Sequence, residues 1–393
     1  MTGNRALVLL AYAFAAVMAG TTLPTPVYAL YGEHMHFAVF TTTVIFSTYA
    51  VAVLAALLVL GRWSDAVGRR PLLFAAIGFA IASAAAFLVA DDVALLLVGR
   101  VFSGLSAGII TGTATAAIVE SVPEAQRDRA AVVATIANIG GLSAGPALAG
   151  LLVQYAPHPL VLPYAVHVGL MVLAAVAILF VPETSSKSGR IGFQRLAVPA
   201  VVRPVFVTAA TAAFAGFTVT GLFMAVVPSF LSDVVGTANH AVAGGVASSI
   251  FVASAIAQVC ARKMPAQRAV ALGCGVLALG MVVLAAAVHV SSLALLLAAG
   301  VVAGVGQGIS FSRGLAAVVE GTPPERRAEV SSTYFVVAYV AISLPVVGAG
   351  VAAQRWGLQT AGTGFAIAVA ALSVLCLIAI LFQESGRRRR SAA

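Results

Sequence analysis

The chain has 393 residues, 61% of them hydrophobic and 9% charged, and its mean hydropathy is +1.06. A soluble domain is about 45–50% apolar and about 25% charged, so no water-soluble fold of this length hides so much apolar surface, and the solvent for most of the chain is lipid. The net charge of +9 would point to nucleic acid in a soluble protein; here it marks the membrane face that retains the loops, and no nucleic-acid partner is expected.

A bilayer span takes about 20 apolar residues. Stretches of that length lie near 7–31, 38–60, 71–90, 93–117, 130–153 and 161–181, and again near 204–231, 240–261, 268–288, 292–318, 330–353 and 360–382. The chain therefore reads as an all-α membrane protein of twelve transmembrane helices. A six-helix bundle occupies 1–182, a polar linker 183–203, a second six-helix bundle 204–382 and a basic tail 383–393. Arg5 and the small residues near Ala19 and Gly20 imitate a cleavable leader, but the next apolar stretch follows directly, so the segment is read as a retained span.

The charges test the count. With both termini cytoplasmic, the cytoplasmic segments hold Arg5, Arg62, Arg69, Arg70, Arg127, Arg129, Lys187, Arg190, Arg195, Arg203, Arg262, Lys263, Arg268, Arg326, Arg327 and Arg387 to Arg390. These are 19 of the 22 basic residues; Arg355 alone falls in an outer loop, and Arg100 and Arg313 fall inside spans. An asymmetry of this size supports a multi-pass protein of the cell (inner or plasma) membrane. Cys260, Cys274 and Cys376 sit in apolar runs without CxxC spacing and read as small core residues, not as a metal site or a disulfide frame.

An internal repeat runs at a spacing of 200 residues. Leu95-Leu96-Leu97 matches Leu295-Leu296-Leu297, Gly104 and Gly108 match Gly304 and Gly308, Ala116 to Glu120 matches Ala316 to Glu320, and Gln154 matches Gln354. Since that interval carries six spans, the halves share one orientation. They are expected to be related by an axis along the membrane normal, with a substrate site between them.

The loop after the second span reads Gly61-Arg62-Trp63-Ser64-Asp65-Ala66-Val67-Gly68-Arg69-Arg70-Pro71. Its glycines and proline permit a tight turn, and Asp65 is placed to pair with arginine or to cap a helix. The pattern resembles the G-x-x-x-D-x-x-G-R-[RK] motif of the major facilitator superfamily, and the twelve spans and the repeat agree with it over essentially the whole chain. The resemblance implies two bundles rocking about a central cavity, with Gly61, Asp65, Gly68, Arg69 and Arg70 forming a latch on their cytoplasmic ends. The equivalent second-half loop, Ala261-Arg262-Lys263-Met264-Pro265, lacks the acid and the glycines.

Two further motifs resemble those of the twelve-helix drug/proton antiporters. Arg100 opens R-x-x-x-G-x-x-x-G in the fourth span, with Ser103 where that family often has Gln; its repeat mate is Gly300, so it is not shared scaffolding. A guanidinium in the membrane is costly and marks a pathway, a relay or a paired acid; the alternative is snorkelling beside Asp91 and Asp92. The fifth span carries Gly141, Gly145, Pro146 and Gly150, resembling G-x-x-x-G-P-x-x-G-G with Ala149 in place of one glycine. The family associates this motif with export; ordinary small-residue packing is the plainer reading.

No span has a central Asp or Glu. Glu33, at the outer end of the first span, is the candidate to reach Arg100 and carry the coupled proton, with His34, His36 and His167 behind it. Candidates for a substrate cavity are Thr25, Tyr28, Tyr49, Asn138, Phe223, Met224, Gln258, Gln307, Arg313, Tyr334 and Tyr339. Arg313 replaces Thr113 of the repeat and is expected to bind an anionic group or to pair with Glu320 or Glu120. No G-x-x-x-x-G-K-[ST] occurs, and no nucleophile–base pair or metal cluster appears. The reading is not an enzyme but a monomeric secondary transporter driven by the proton gradient, without metal or cofactor, that exports small apolar or amphipathic compounds (drug or natural-product efflux) by proton antiport and alternating access. The alternative is proton-coupled uptake of a metabolite or organic anion.

Overall fold

The computed structural model describes residues 3–189 and 191–392, with side chains as far as Gln383. Arg190 and the side chains of Arg387 to Arg390, counted above with the basic segments, lie outside the described residues. Among the described residues, twelve helices are long and apolar enough to cross a membrane. The first half comprises α1 (Asn4–Met35), α2 (Val39–Leu60), α3 (Arg69–Leu88), α4 (Val93–Glu120), α5 (Glu124–Tyr155) and α6 (Leu162–Leu179). The second comprises α7 (Ala200–Ala225), α8 (His240–Ala261), α9 (Ala266–His289), α10 (Leu293–Glu320), α11 (Pro324–Trp356) and α12 (Leu358–Gln383). The face with the arginine-rich loops is called the basic face below, and the other the opposite face.

The repeat holds down to the caps. Asp92 accepts from the Leu95 N–H at the start of α4, and Ser292 accepts from the Leu295 N–H at the start of α10, each satisfying one orphan donor of a helix end. A Cβ on Gly104 would lie 2.5 Å from the Tyr49 carbonyl of α2, and one on Gly304 would collide with the Ile250 carbonyl of α8. Gly108 and Gly308 continue the same seams, at Val53 and Ser254. In lipid, helices gain no hydrophobic drive from meeting each other, so this backbone-close packing is what joins them.

The first helix of each half is broken at corresponding depth. Pro24 and Pro26 lack an N–H, and α1 runs as Gly3–Thr22, a single turn at Thr25–Val27, then Tyr28–Met35. In the second half, Pro228 follows a break at Val226, so the stretch read as one span to 231 is Arg203–Ala225 with a separate short helix Val227–Asp233. The last helix does not stop at the membrane edge: it continues through the region read as a tail, to Ala392.

Between the halves, residues 182–189 and 191–199 form no regular structure apart from a bend. They are pinned nonetheless. The Gly189 N–H donates to the Asp65 carbonyl at 3.2 Å and the Gln194 N–H to the Leu58 carbonyl at 2.7 Å, while the Ala197 N–H donates to Thr333 Oγ1 of α11 at 3.1 Å.

Candidate functional site

On the basic face, the loop after α2 folds into a one-turn helix, Trp63–Val67, ended by Gly68 at φ +119°. That backbone is closed to most L side chains, and a Cβ there would lie 2.6 Å from Glu183 Oε2. The turn aims Arg69 inward, where its guanidinium meets Asp65 at 2.6 Å, Glu120 of α4 at 2.8 Å and Ser64 Oγ at 2.6 Å. Glu183 accepts the N–H groups of Arg69 (2.8 Å) and Arg70 (3.1 Å), which are orphan donors at the start of α3. Thr184 Oγ1 donates to Glu120 at 2.7 Å, and Arg70 donates to the Leu179 carbonyl at 3.1 Å. Burial pushes the Glu183 carboxyl upward, but the N–H donors of Ser185, Arg69, Arg70 and Thr184 outweigh it and hold that carboxyl below the usual range. Gly61 stands at the exposed end of α2, where a Cβ would meet the Leu57 carbonyl. Glu120, Glu183, Ser64 and Thr184 were not among the residues read from the sequence as the latch. Among the described residues, none of this network's hydrogen bonds or ion pairs reaches the second bundle. In this state it braces the first bundle and the linker.

Arg100 is 1% exposed, which removes the snorkelling alternative, and Asp92 serves the α4 cap instead. The geometry also departs from the expected Glu33 partner: Glu33 is exposed on the outer half-helix of α1, and no ion pair of Arg100 occurs among the described residues. Its Nη1 donates 2.7 Å to the carbonyl of Thr21, in the last turn before the α1 break. The final carbonyls of a helix lack intrahelical partners and carry partial negative charge, so a cation is favoured there. The same guanidinium lies 4.5 Å from the Tyr49 ring centroid and 5.7 Å from that of Phe46. A helix end and two aromatic faces thus replace the missing acid.

Beside this cap, the His167 ring of α6 is buried against Gly20, where any Cβ would strike it. Thr21, Ser83, Ser103, Ser106 and His167 surround a cavity of about 10 Å³, and His167 Nδ1 has no hydrogen-bond partner. Ser103, the departure from the antiporter pattern, faces this polar pocket. His34 and His36 lie at the exposed end of α1.

The two halves meet toward the opposite face. Gly141 and Gly145 of α5 pack on the Ala15 and Ala19 carbonyls of α1. Pro146 and Gly150 pack across the seam on α8, where a Cβ on Gly150 would lie 2.5 Å from the His240 carbonyl and one on Gly244 would collide with that of Pro146. Ser248 Oγ donates to the Ser143 carbonyl at 2.7 Å, and Ser47 Oγ to the Ser343 carbonyl at 3.3 Å. The helix-5 residues therefore bind α5 to both halves at once. Thr25 Oγ1 contacts Met224 Sδ at 3.7 Å where the breaks of α1 and α7 face each other, with Phe223 fully buried beside Gly300.

Toward the basic face the seam opens into a cleft of about 170 Å³ lined by Thr135 of α5, Gln258 and Arg262 of α8, and Ser312 and Arg313 of α10. Arg313 makes no ion pair among the described residues, because Glu120 is held by Arg69 and Glu320 faces elsewhere; this corrects the expected pairing. Gln258 joins Gln307 through Ser254, whose hydroxyl donates 2.6 Å to Gln307 Oε1. Asn138 Oδ1 and the Tyr28 hydroxyl are buried without a hydrogen-bond partner. Tyr339 is partly buried on α11. Tyr334 is turned into the second bundle, donating to the Ala209 carbonyl at 3.2 Å, and lies away from the seam.

The family model of the Major Facilitator Superfamily matches residues 8–346. The chain belongs to the major facilitator superfamily. This facilitator is accordingly a multi-pass membrane protein of a transporter family, with twelve spans in two pseudo-symmetric bundles. It is 30% identical over 128 residues to the class D tetracycline resistance protein of Salmonella ordonez, covering 31% of this chain and 30% of that one. It is 31% identical over 146 residues to the class G protein of Vibrio anguillarum, covering 37% of this chain and 36% of that one. The facilitator thus spans about a third of the length of these curated relatives. Its fold is similar to that of a bacterial homolog of the human lysosomal transporter Spinster, solved in an inward-facing, unoccupied conformation. The TM-score is 0.75 at 16% identity, over 97% of this chain and 98% of that one.

Proposed function

We propose that this facilitator exports small apolar or amphipathic molecules in exchange for protons, by alternating access, from a cell membrane in which both termini are cytoplasmic. The observation that carries the reading is the helix-5 seam. Gly141 and Gly145 on α1, and Pro146 and Gly150 on α8, make α5 a shared wall of both bundles on the face that must open for release. Tetracycline resistance proteins among the relatives support the same direction. Coupling is assigned to the α1 break, where Arg100 caps the Thr21 carbonyl and His167 lies under it, and not to Glu33. A proton on His167 would compete with the Arg100 charge, and the ring packs so closely on Gly20 that no side chain fits there. The sole energy source is the proton gradient.

The Arg313 cleft favours a second reading, uptake of an organic anion with protons. One experiment separates the two. Purified protein in liposomes with an inside-acid gradient is offered lipophilic cations, neutral antibiotics and organic acids from outside, with a pH-sensitive dye reporting the gradient. Uptake of a compound with collapse of the gradient is the expected result. Uptake that requires the reverse gradient would replace antiport with symport and reduce the helix-5 motif to packing.

A further inference from the structure

The repeat allows the basic ends of the two bundles to be compared position by position. The first bundle carries Arg5 at the start of α1 and Arg69 and Arg70 at the start of α3; Glu120 pairs with the Arg69 guanidinium, and Glu183 accepts the Arg69 and Arg70 N–H groups. Two hundred residues on stand Val205, Ala269 and Val270, with Glu320 and Gln383. All three arginines are gone and one glutamate is kept. Ala269 is fully buried with Ala257, Ala261 and Ile309, while Val205, Val270 and Gln383, the mates of Arg5, Arg70 and Glu183, line a cavity of about 330 Å³ together with Glu320.

Glu120 and Glu320 end helices of equal length at matched positions, Val93–Glu120 and Leu293–Glu320. Yet Glu120 is held by a guanidinium at 2.8 Å, whereas Glu320 has no ion-pair partner among the described residues. Arg268, next to Ala269, is exposed, does not line the cavity and makes no ion pair among the described residues. The remaining polar walls can accept hydrogen bonds: Gln267, Thr208 and Gln383, whose Nε2 donates to Thr208 Oγ1 at 3.4 Å and leaves its carbonyl oxygen available. The other walls are aliphatic, including Ile380 of α12.

We propose that this cavity is a binding site for an alkylammonium group, with the charged nitrogen on Glu320 and the apolar tail along Val205, Val270 and Ile380. The first bundle shows what the acid takes when a cation is built in; the second keeps the acid and leaves the cation to come from outside. An ammonium on an apolar chain satisfies both the carboxylate and the aliphatic walls, which a hydrated inorganic cation would not. Two sources share this chemistry: a free cationic amphiphile and the amine headgroup of a bilayer lipid. The site is separate from the seam between the bundles, and it does not depend on the direction of transport.

The test measures binding of radiolabelled dodecylamine to the full-length protein immobilised in dodecyl maltoside. Saturable binding is expected, weakened up to about fivefold in Glu320→Gln and restored in Glu320→Asp. Val205→Arg, which restores the first bundle's arginine at a half-buried position lining the cavity, should occupy the site beside Glu320 while the protein stays folded. Binding that is unchanged in both Glu320→Gln and Val205→Arg, or that never saturates, overturns the proposal. Repeating the titration in nanodiscs names the source. Loss of binding in phosphatidylethanolamine but not in phosphatidylcholine supports a resident lipid, and equal binding in both supports a free amphiphile.

Discussion

The Arg100 guanidinium is buried in a span with no ion-pair partner among the described residues, and three weaker partners surround it instead. The Thr21 carbonyl, the Tyr49 ring and the Phe46 ring each take part of the guanidinium's electrostatic demand. A charge-assisted hydrogen bond of this kind contributes about 1.5–3 kcal/mol. Arg100→Ala is therefore expected to leave the carbonyl unsatisfied, loosen the α1 break and abolish proton-linked flux. Arg100→Lys, a point charge without the planar face, should keep insertion and lose most of the coupling; full flux in either variant removes Arg100 from the mechanism. His167→Asn keeps a polar side chain that cannot be protonated near neutral pH, and it should flatten the pH dependence of transport while substrate binding persists. A retained pH profile would return the search for the proton carrier to other residues. Glu183 gives a pH prediction for stability. Its folded carboxyl is held below the ordinary range, so its contribution is complete above that range and is lost as pH falls through the lowered value. Glu183→Gln should lower the melting temperature at neutral pH by an amount set by about 1–2 kcal/mol, and the gap from the parent should close on acidification. A gap that stays constant with pH would show that the carboxylate is not the source.

At the scale of the helices, the deciding atoms are backbone carbonyls facing positions with no side chain. A methyl at Gly244 would overlap the Pro146 carbonyl, so Gly244→Val should hold α5 and α8 apart and leave the opposite face accessible to a membrane-impermeant thiol reagent at an introduced cysteine. Labelling no faster than in the parent would mean that the seam re-forms by helix movement elsewhere. Spans and repeat are legible in the chain because lipid leaves a strong mark: each span is a long, predominantly apolar run, and Gly104, Gly108, Gly304 and Gly308 keep their register across 200 residues. The breaks were legible only in part, since Pro24 and Pro26 announce one while the turn before Pro228 is hidden in an apolar run. The site was harder to read. Asp65, Gly68 and Arg69 stand in one short loop, but Glu120 and Glu183 come from 51 and 114 residues away and reach Arg69 only through folding. Glu33 was a natural partner for Arg100 by sign of charge. The helix break supplies a carbonyl instead, and a backbone oxygen leaves no trace in sequence.

For the whole molecule, the half-to-half hydrogen bonds through Ser47, Ser143, Ser248 and Gln154 all lie toward the opposite face, while the cleft at Arg313 lies toward the basic face. Alternating access requires this seam to part. Ser143→Cys with Ser248→Cys, in a background without the native cysteines, should form a disulfide on oxidation and halt turnover, with recovery on reduction. Undiminished turnover of the crosslinked protein would mean that the seam does not open during transport.

The linker adds a limit of a different kind. It is tied to α2 at Gln194 and to α11 at Ala197, one anchor in each bundle and three residues apart. An extended chain covers about 3.3–3.6 Å per residue, so the N–H groups of Gln194 and Ala197 can stand no more than about 10 Å apart while both ties hold. The segment is thus a leash whose slack sets the stroke of the machine. Lengthening it between 194 and 197 with glycine and serine should widen the excursion of the basic face, and a shortened version should stall it.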